Sequence, residues 1–385
     1  MPKKLRILLR YSDKSHHNKL TFKYYVLKYI DEYRDINVIN ALANKIRKVI
    51  KHPWNIMEIC GGQTHAIMKY NLSEFLPGQI NLIHGPGCPV CVTPLEKIDK
   101  ALALAQMKDV ILVSFGDMLR VPGSDSDLLL EKSRGADVRM VYSPLDAVKI
   151  AADNPHKKVV FFAIGFETTA PVNALSVIRA EQLHLENYFI LCSQVLVPPA
   201  IEMLLEQEGS SIQGFLAPGH VCAVAGYNEY ISLAKKFNLP FVITGFEPTD
   251  ILKGILALVS LLEDGRSDVV NEYKRVVTKE GNKDALKMVN DVFELTDQEW
   301  RGIGVIPGSG LRVREKYSGF DAEKHFTFEV LNTRESSVCI AGKILQGISK
   351  PTDCKAFGKE CIPEHPLGAP MVSLEGACSA YHRYQ

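Results

Sequence analysis

Val159-Val160-Phe161-Phe162-Ala163-Ile164 runs straight into Gly165-Phe166-Glu167-Thr168-Thr169-Ala170-Pro171. An unbroken apolar run of this length suits a strand buried on both faces of a parallel sheet. The glycine permits a tight turn, and a threonine can cap the helix that follows. A helical stretch of about fifteen residues then leads to strand-like Tyr188 to Cys192. Strand, helix and strand in that order form the unit of an α/β fold.

The same grammar recurs on either side. Phe241 to Thr244 ends in Gly245-Phe246-Glu247-Pro248-Thr249-Asp250 before a long helix, so Gly-Phe-Glu-x-Thr appears twice, eighty residues apart. Both copies lie at strand-to-helix junctions, where ligands bind in open α/β sheets. Glu167, Thr168 and Glu247 are therefore candidate ligand-binding residues, and for Glu247 turn and cap chemistry is the plain alternative. Upstream, Val110 to Phe115 is another continuous apolar run, broken at Gly116-Asp117. Ile80 to Ile83 and Ile56 to Ile59 read as short strands, 94 to 107 as a helix, and 20 to 52 as helical. The duplicated motif predicts two successive α/β walls.

Bulk properties bound the function. At 385 residues the chain is long for one core, and two or three domains are expected. The formal net charge of +1 leaves no basic footprint for nucleic acid. Lys3, Lys4, Arg6, Arg10, Lys14 and Lys19 make the first twenty residues locally basic, which reads as a solvated extension. No apolar run approaches the roughly 20 residues that span a bilayer. Arg10 cuts the one segment resembling a signal peptide. A cytoplasmic location is expected, with the nine cysteines reduced or metal-bound.

Those cysteines fall into two groups. Cys339, Cys354, Cys361 and Cys378 occupy a Gly- and Pro-rich tail, separated by fourteen, six and sixteen residues. Such a segment needs outside packing or a metal staple, because it has little apolar surface of its own to bury. Four thiolates there suit an iron–sulfur cluster or zinc, but the close Cys-x-x-Cys knuckles of zinc ribbons are missing. In the second group, Cys60 opens Cys60-Gly61-Gly62-Gln63-Thr64-His65, and His84-Gly85-Pro86-Gly87-Cys88-Pro89-Val90-Cys91 ends in redox-dithiol spacing. Cys60, Cys88 and Cys91 with His65 or His84 could also make a zinc set. A zinc deaminase is excluded, since neither histidine has Glu two residues on. His65 could bond or shuttle a proton beside Cys60, or could simply be a capping or core histidine. His220 is equally open, and Cys192 and Cys222 read as buried, inert thiols. No phosphate loop, dinucleotide fingerprint or hydrolase elbow is present.

Several stretches carry a family resemblance: Met57 to Ala66, His84 to Val92, Phe115 to Gly123, Ile164 to Pro171, and the tail from Cys354 through Phe357-Gly358 to Met371–Cys378. They resemble the HypD family, whose members mature NiFe-hydrogenases, over about residues 32 to 385. The resemblance implies two α/β domains, 53–145 and 146–319, plus a smaller helical and loop-rich iron–sulfur domain built from 21–52 and 320–385. It implies a 4Fe-4S cluster on Cys339, Cys354, Cys361 and Cys378. Cys60 would hold the iron of an Fe(CN)2CO intermediate, shared with the small partner HypC, with cyanide arriving from HypE–HypF. Cys88 and Cys91 would be a redox pair, and Thr64, His65, Asp117 and Glu167 join them as candidate site residues. Such a protein is an assembly scaffold with redox activity rather than a conventional turnover enzyme. The alternative is a stand-alone, iron–sulfur-dependent thiol/disulfide oxidoreductase, which has no need of Cys60.

Overall fold

A computed structural model describes residues 28, 30–328 and 332–385. The basic extension read at 1–20 lies outside the described residues. Among the described residues, eleven strands build two sheets. They are β1 (Trp54–Glu58), β2 (Ile80–His84), β3 (Val110–Ser114), β4 (Val138–Met140), β5 (Lys158–Gly165), β6 (Tyr188–Val195), β7 (Gly214–Pro218), β8 (Phe241–Thr244), β9 (Val269–Asn271), β10 (Phe293–Trp300) and β11 (Gly304–Val313).

The first sheet has the order β2-β1-β7-β8-β9 and is parallel throughout. The second has the order β10-β11-β6-β5-β3-β4. Its β4, β3, β5 and β6 are parallel, while β11 and β10 add an antiparallel edge. The run that opened the sequence is the centre of this sheet. Val159 to Gly165 of β5 pair in register with Tyr188 to Gln194 of β6, and both strands are buried from Val159 and Tyr188 onward. Continuous apolar sequence thus marks central parallel strands, as its chemistry requires.

The two sheets do not follow a division of the chain at residue 145. The first sheet takes two strands from before that point and three from 214–271, whereas the second takes β3 and β4 from before it. Local sequence cannot reveal this, because strand order is set by long-range pairing. The two Gly-Phe-Glu motifs accordingly fall in different sheets, one after β5 and one after β8. The antiparallel edge also departs from the expectation of parallel sheets. Ile306-Pro307-Gly308-Ser309-Gly310, which reads as a turn, lies inside β11, where Gly308 adopts φ +62°. Only alternate residues of β10 are well covered, as suits an edge strand with one wet face.

The Ile36–Val49 helix is the described part of the helical region read at 20–52. It packs mainly on the Pro248–Glu263 helix, placing Ile39, Leu42 and Ile46 against Ile251, Ile255 and Leu258. It therefore covers the first sheet. The tail forms its own small cluster of Ile344, Ala356, Cys361, Met371, Ala377 and Cys378.

Candidate functional site

Cys60 follows β1 directly and precedes the Gly61–Lys69 helix, so it sits at the carboxyl end of a parallel strand. Its amide donates to Oε2 of Glu58 at 3.0 Å. Glu58 is fully buried. Its Oε1 also accepts from the Thr64 hydroxyl and lies 2.7 Å from Nδ1 of His84. A buried carboxyl group is costly unless such partners satisfy it, and here three of them do.

The second cysteine turn is bonded to the first. The Gly85 amide donates to the Glu58 carbonyl, and the Gly61 amide donates to the Gly87 carbonyl, both at 2.8 Å. A Cβ on Gly87 would lie 2.3 Å from the Cys60 nitrogen and 2.4 Å from its Cα. Only glycine allows that approach. Cys88 comes next and is joined to Cys91 in a disulfide, with Cα atoms 5.3 Å apart. Both are buried. Cys91 lies in the short Pro89–Val92 helix, and its amide donates to Cys88 Sγ at 3.2 Å.

The tail closes the same site. A Cβ on Gly61 would lie 2.4 Å from that of Glu375, so the Leu374-Glu375-Gly376 turn rests on the Cys60 turn. Burial, then the charges of Glu375 and Glu58, push the Cys60 thiol well above its ordinary pKa. A thiol in such surroundings keeps a proton that a metal cation displaces on binding. Burial raises the Glu375 carboxyl as well, with nearby Asp117 adding to it. Asp117 itself lies 3.4 Å from Arg120, which donates to the Val372 carbonyl at 3.1 Å.

Cys339, Cys354, Cys361 and Cys378 all line one small cavity, together with Gly368, Pro370 and Met371. Their sulfurs face one another closely enough that, after burial, the other three thiols are what raise Cys378. The Leu367 amide donates to Cys361 Sγ at 3.4 Å. Among the described residues, no three His, Cys, Asp or Glu side chains converge on a single ion-sized point. A zinc ion needs all its sulfurs about 2.3 Å from one centre. Four thiols around one cavity are a donor set that could hold an iron–sulfur cluster or zinc. The cavity neighbours the disulfide, since its Ala369–Met371 wall packs on the Pro89–Val92 helix.

The family model described as "Hydrogenase formation hypA family" (HypD) matches residues 37–385. The chain belongs to the HypD family. It is 47% identical over 368 residues to hydrogenase maturation factor HypD2 of Bradyrhizobium diazoefficiens, covering 93% of this chain and 97% of that one. It is 46% identical to HypD of Azotobacter vinelandii, at 93% and 97% coverage, and 43% identical to HypD of Escherichia coli K12, at 93% and 98%.

Not every candidate of this HypD-family chain sits at Cys60. The His65 ring turns to the tail, with Nδ1 3.3 Å from the Leu374 carbonyl and its face edge-on to Tyr384. Burial lowers its pKa. Glu167 is buried after β5, where Oε1 accepts from the Val197 amide at 2.9 Å. Thr169 makes no cap, and its hydroxyl bonds within the turn and with Gln194. Glu247 does not cap either, for both its oxygens take the Arg34 guanidinium at 2.5 and 2.7 Å. His220 stacks on Phe246 at 3.8 Å between ring centroids. Phe246 in turn packs on Gly62. Cys192 and Cys222 are buried.

The structure also places Glu58 and Glu375 at the Cys60 turn, where the motifs do not point to them. Glu58 had a signal, being the one acid in the apolar segment Ile56-Met57-Glu58-Ile59. A charge in a buried strand demands partners. Glu375 had none beyond its place three residues before Cys378.

Proposed function

We propose that this chain is a scaffold and redox protein in NiFe-hydrogenase maturation, on which an Fe(CN)2CO unit is assembled with HypC, cyanide arriving from HypE–HypF. The observation that carries it is the continuous packing of three sulfur sites. The Cys60 turn is bonded to the Cys88 turn, and the disulfide helix lies against the wall of the tail-cysteine cavity.

Each part has a chemical task. Cys60 offers one soft thiolate at an open strand end, the donor that low-spin ferrous iron prefers. Among the described residues no other donors converge there, which leaves the iron's remaining positions for cyanide, CO and a partner's ligand. Glu375 stands near it as a group able to hold a proton. Cys88 and Cys91 store two electrons as a dithiol and release them on forming the disulfide. Cys339, Cys354, Cys361 and Cys378 would hold a 4Fe-4S cluster, which supplies electrons one at a time.

Infrared spectroscopy of the chain co-purified with its small partner tests this. Bands of metal-bound cyanide and CO are expected, lost in Cys60→Ala. In Cys88→Ala with Cys91→Ala, iron loading should fall severalfold. A complex without those bands, or bands indifferent to Cys60→Ala, would refute the scaffold. Turnover of small disulfides by the isolated chain would instead favour the oxidoreductase.

A further inference from the structure

His84 stands where the three sulfur-bearing segments meet. Its Nδ1 lies 2.7 Å from Glu58 Oε1, and the other oxygen of that carboxyl receives the Cys60 amide. Its backbone runs on through Gly85 and Gly87 into Cys88. Its ring presents an edge contact to Tyr381, at 5.5 Å between centroids. Tyr381 belongs to the Ala377–Tyr384 helix, whose second residue is Cys378. His84 and Glu58 are both buried.

This junction has little slack. Two backbone hydrogen bonds and the Glu58–His84 contact close a ring between the turns, and Gly87 lies against the Cys60 backbone. Opening the Cys88–Cys91 disulfide removes the S–S bond and frees Cys88 to move. That movement passes to Gly87 and so to Cys60. A close-packed interior transmits such shifts rather than absorbing them.

We propose that Glu58 and His84 are a positioning pair that couples what is bound at Cys60 to the redox state of Cys88 and Cys91. The inference rests on the proposed redox role of that dithiol, but not on the iron. By linkage the coupling is reciprocal: modifying Cys60 must shift the dithiol equilibrium by the factor with which reduction changes Cys60. The equilibrium is a thiol–disulfide exchange. The Cys88–Cys91 bond breaks to two thiols while a dithiol reagent closes to its own disulfide, two electrons and two protons passing between them.

The full chain is equilibrated against a dithiothreitol buffer before and after iodoacetamide treatment of the oxidised protein, with alkylation of Cys60 confirmed by mass spectrometry. In the unmodified sequence, alkylation should shift the equilibrium at least tenfold, about 30 mV for a two-electron couple. Glu58→Gln should keep the shift. Its amide oxygen can accept from the Cys60 amide, and its NH2 can donate to Thr64 and to the alternative His84 tautomer. His84→Asn, which keeps a donor near the Nδ1 position, should keep most of it. His84→Phe keeps the ring edge but loses the bond, and should reduce the shift below twofold with some loss of stability, since the buried Glu58 oxygen is left short of a donor. Hydrogen exchange needs no variant: reduction of the disulfide should alter exchange in the peptide spanning 57–66. A dithiol that titrates without any response to Cys60 alkylation, an unaltered exchange, or a full shift in His84→Phe overturns the coupling alone. A disulfide that ignores the dithiol buffer overturns the redox reading too.

Discussion

Glu167 follows β5, with one oxygen bonded to the Val197 amide and the other buried without a partner. Burial raises its carboxyl to about 8. The native state therefore keeps a proton that the unfolded chain releases above its ordinary value. Below both values the two states bind it equally. As pH rises from about 4.5 toward 8, the unfolded state loses its proton first, so stability falls across that window and then levels off. The fall is on the order of a few kcal/mol. Glu167→Gln removes the titration, and denaturant unfolding at pH 5, 6.5 and 8 should show the slope in the wild type and not in the variant. Thr64 makes a sharper local test. Its hydroxyl donates to a buried carboxyl. Thr64→Val leaves an acceptor short of a donor, which should cost about 1–3 kcal/mol in urea denaturation.

Elements meet through glycines at the Cys60 turn. Gly87 carries no left-handed strain, so a substitution there acts only through contact with the Cys60 backbone. Gly87→Ala should force the two turns apart and abolish iron loading, seen as loss of the infrared bands. Gly78→Ala, where nothing lies within 4 Å, should leave them intact. The Ile36–Val49 helix is held differently, chiefly by apolar burial, with Arg47 also donating to the Phe75 carbonyl at 2.8 Å. Ile46 is fully buried against the Pro248–Glu263 helix. Ile46→Ala should destabilise the protein by about 2–5 kcal/mol, measured as a shifted urea midpoint.

For the whole molecule, the tail is the part least able to stand alone. Its own buried cluster has six members, two of them cysteines. The rest of its anchorage is spread over its neighbours: Leu345, Ala369, Val372 and Ala380 join the larger cores, Arg301 bonds Glu335 at 2.6 and 2.8 Å, Gln346 bonds the Gly302 carbonyl at 3.1 Å, and Tyr381 meets His84. A bound cluster would supply the missing cohesion, as structural metals do in segments with small cores. Cys361→Ser should lose the visible colour of anaerobically purified protein. It should also admit protease between 340 and 372, while both sheets resist and give an unchanged far-ultraviolet circular dichroism spectrum. A colourless wild-type protein with an already resistant tail would end the cluster proposal. Among the described residues, no helix is long and apolar enough to cross a membrane.

Sequence by itself determined the local pieces of this protein. β3, β5 and β6 were legible because an unbroken apolar run has one stable home, the middle of a parallel sheet. Cys60 and the Cys88/Cys91 pair were legible because glycine and thiol spacing act within a few residues. The tertiary structure alone decided how the pieces share sheets and what surrounds the thiols. The order β2-β1-β7 sets His84 beside Glu58, and the returning tail lays Glu375 on Gly61. Those contacts join residues 26 and more than 300 positions apart. The first partner is fixed by pairing between strands and the second by packing of the returning tail, and neither leaves a periodic mark on the chain.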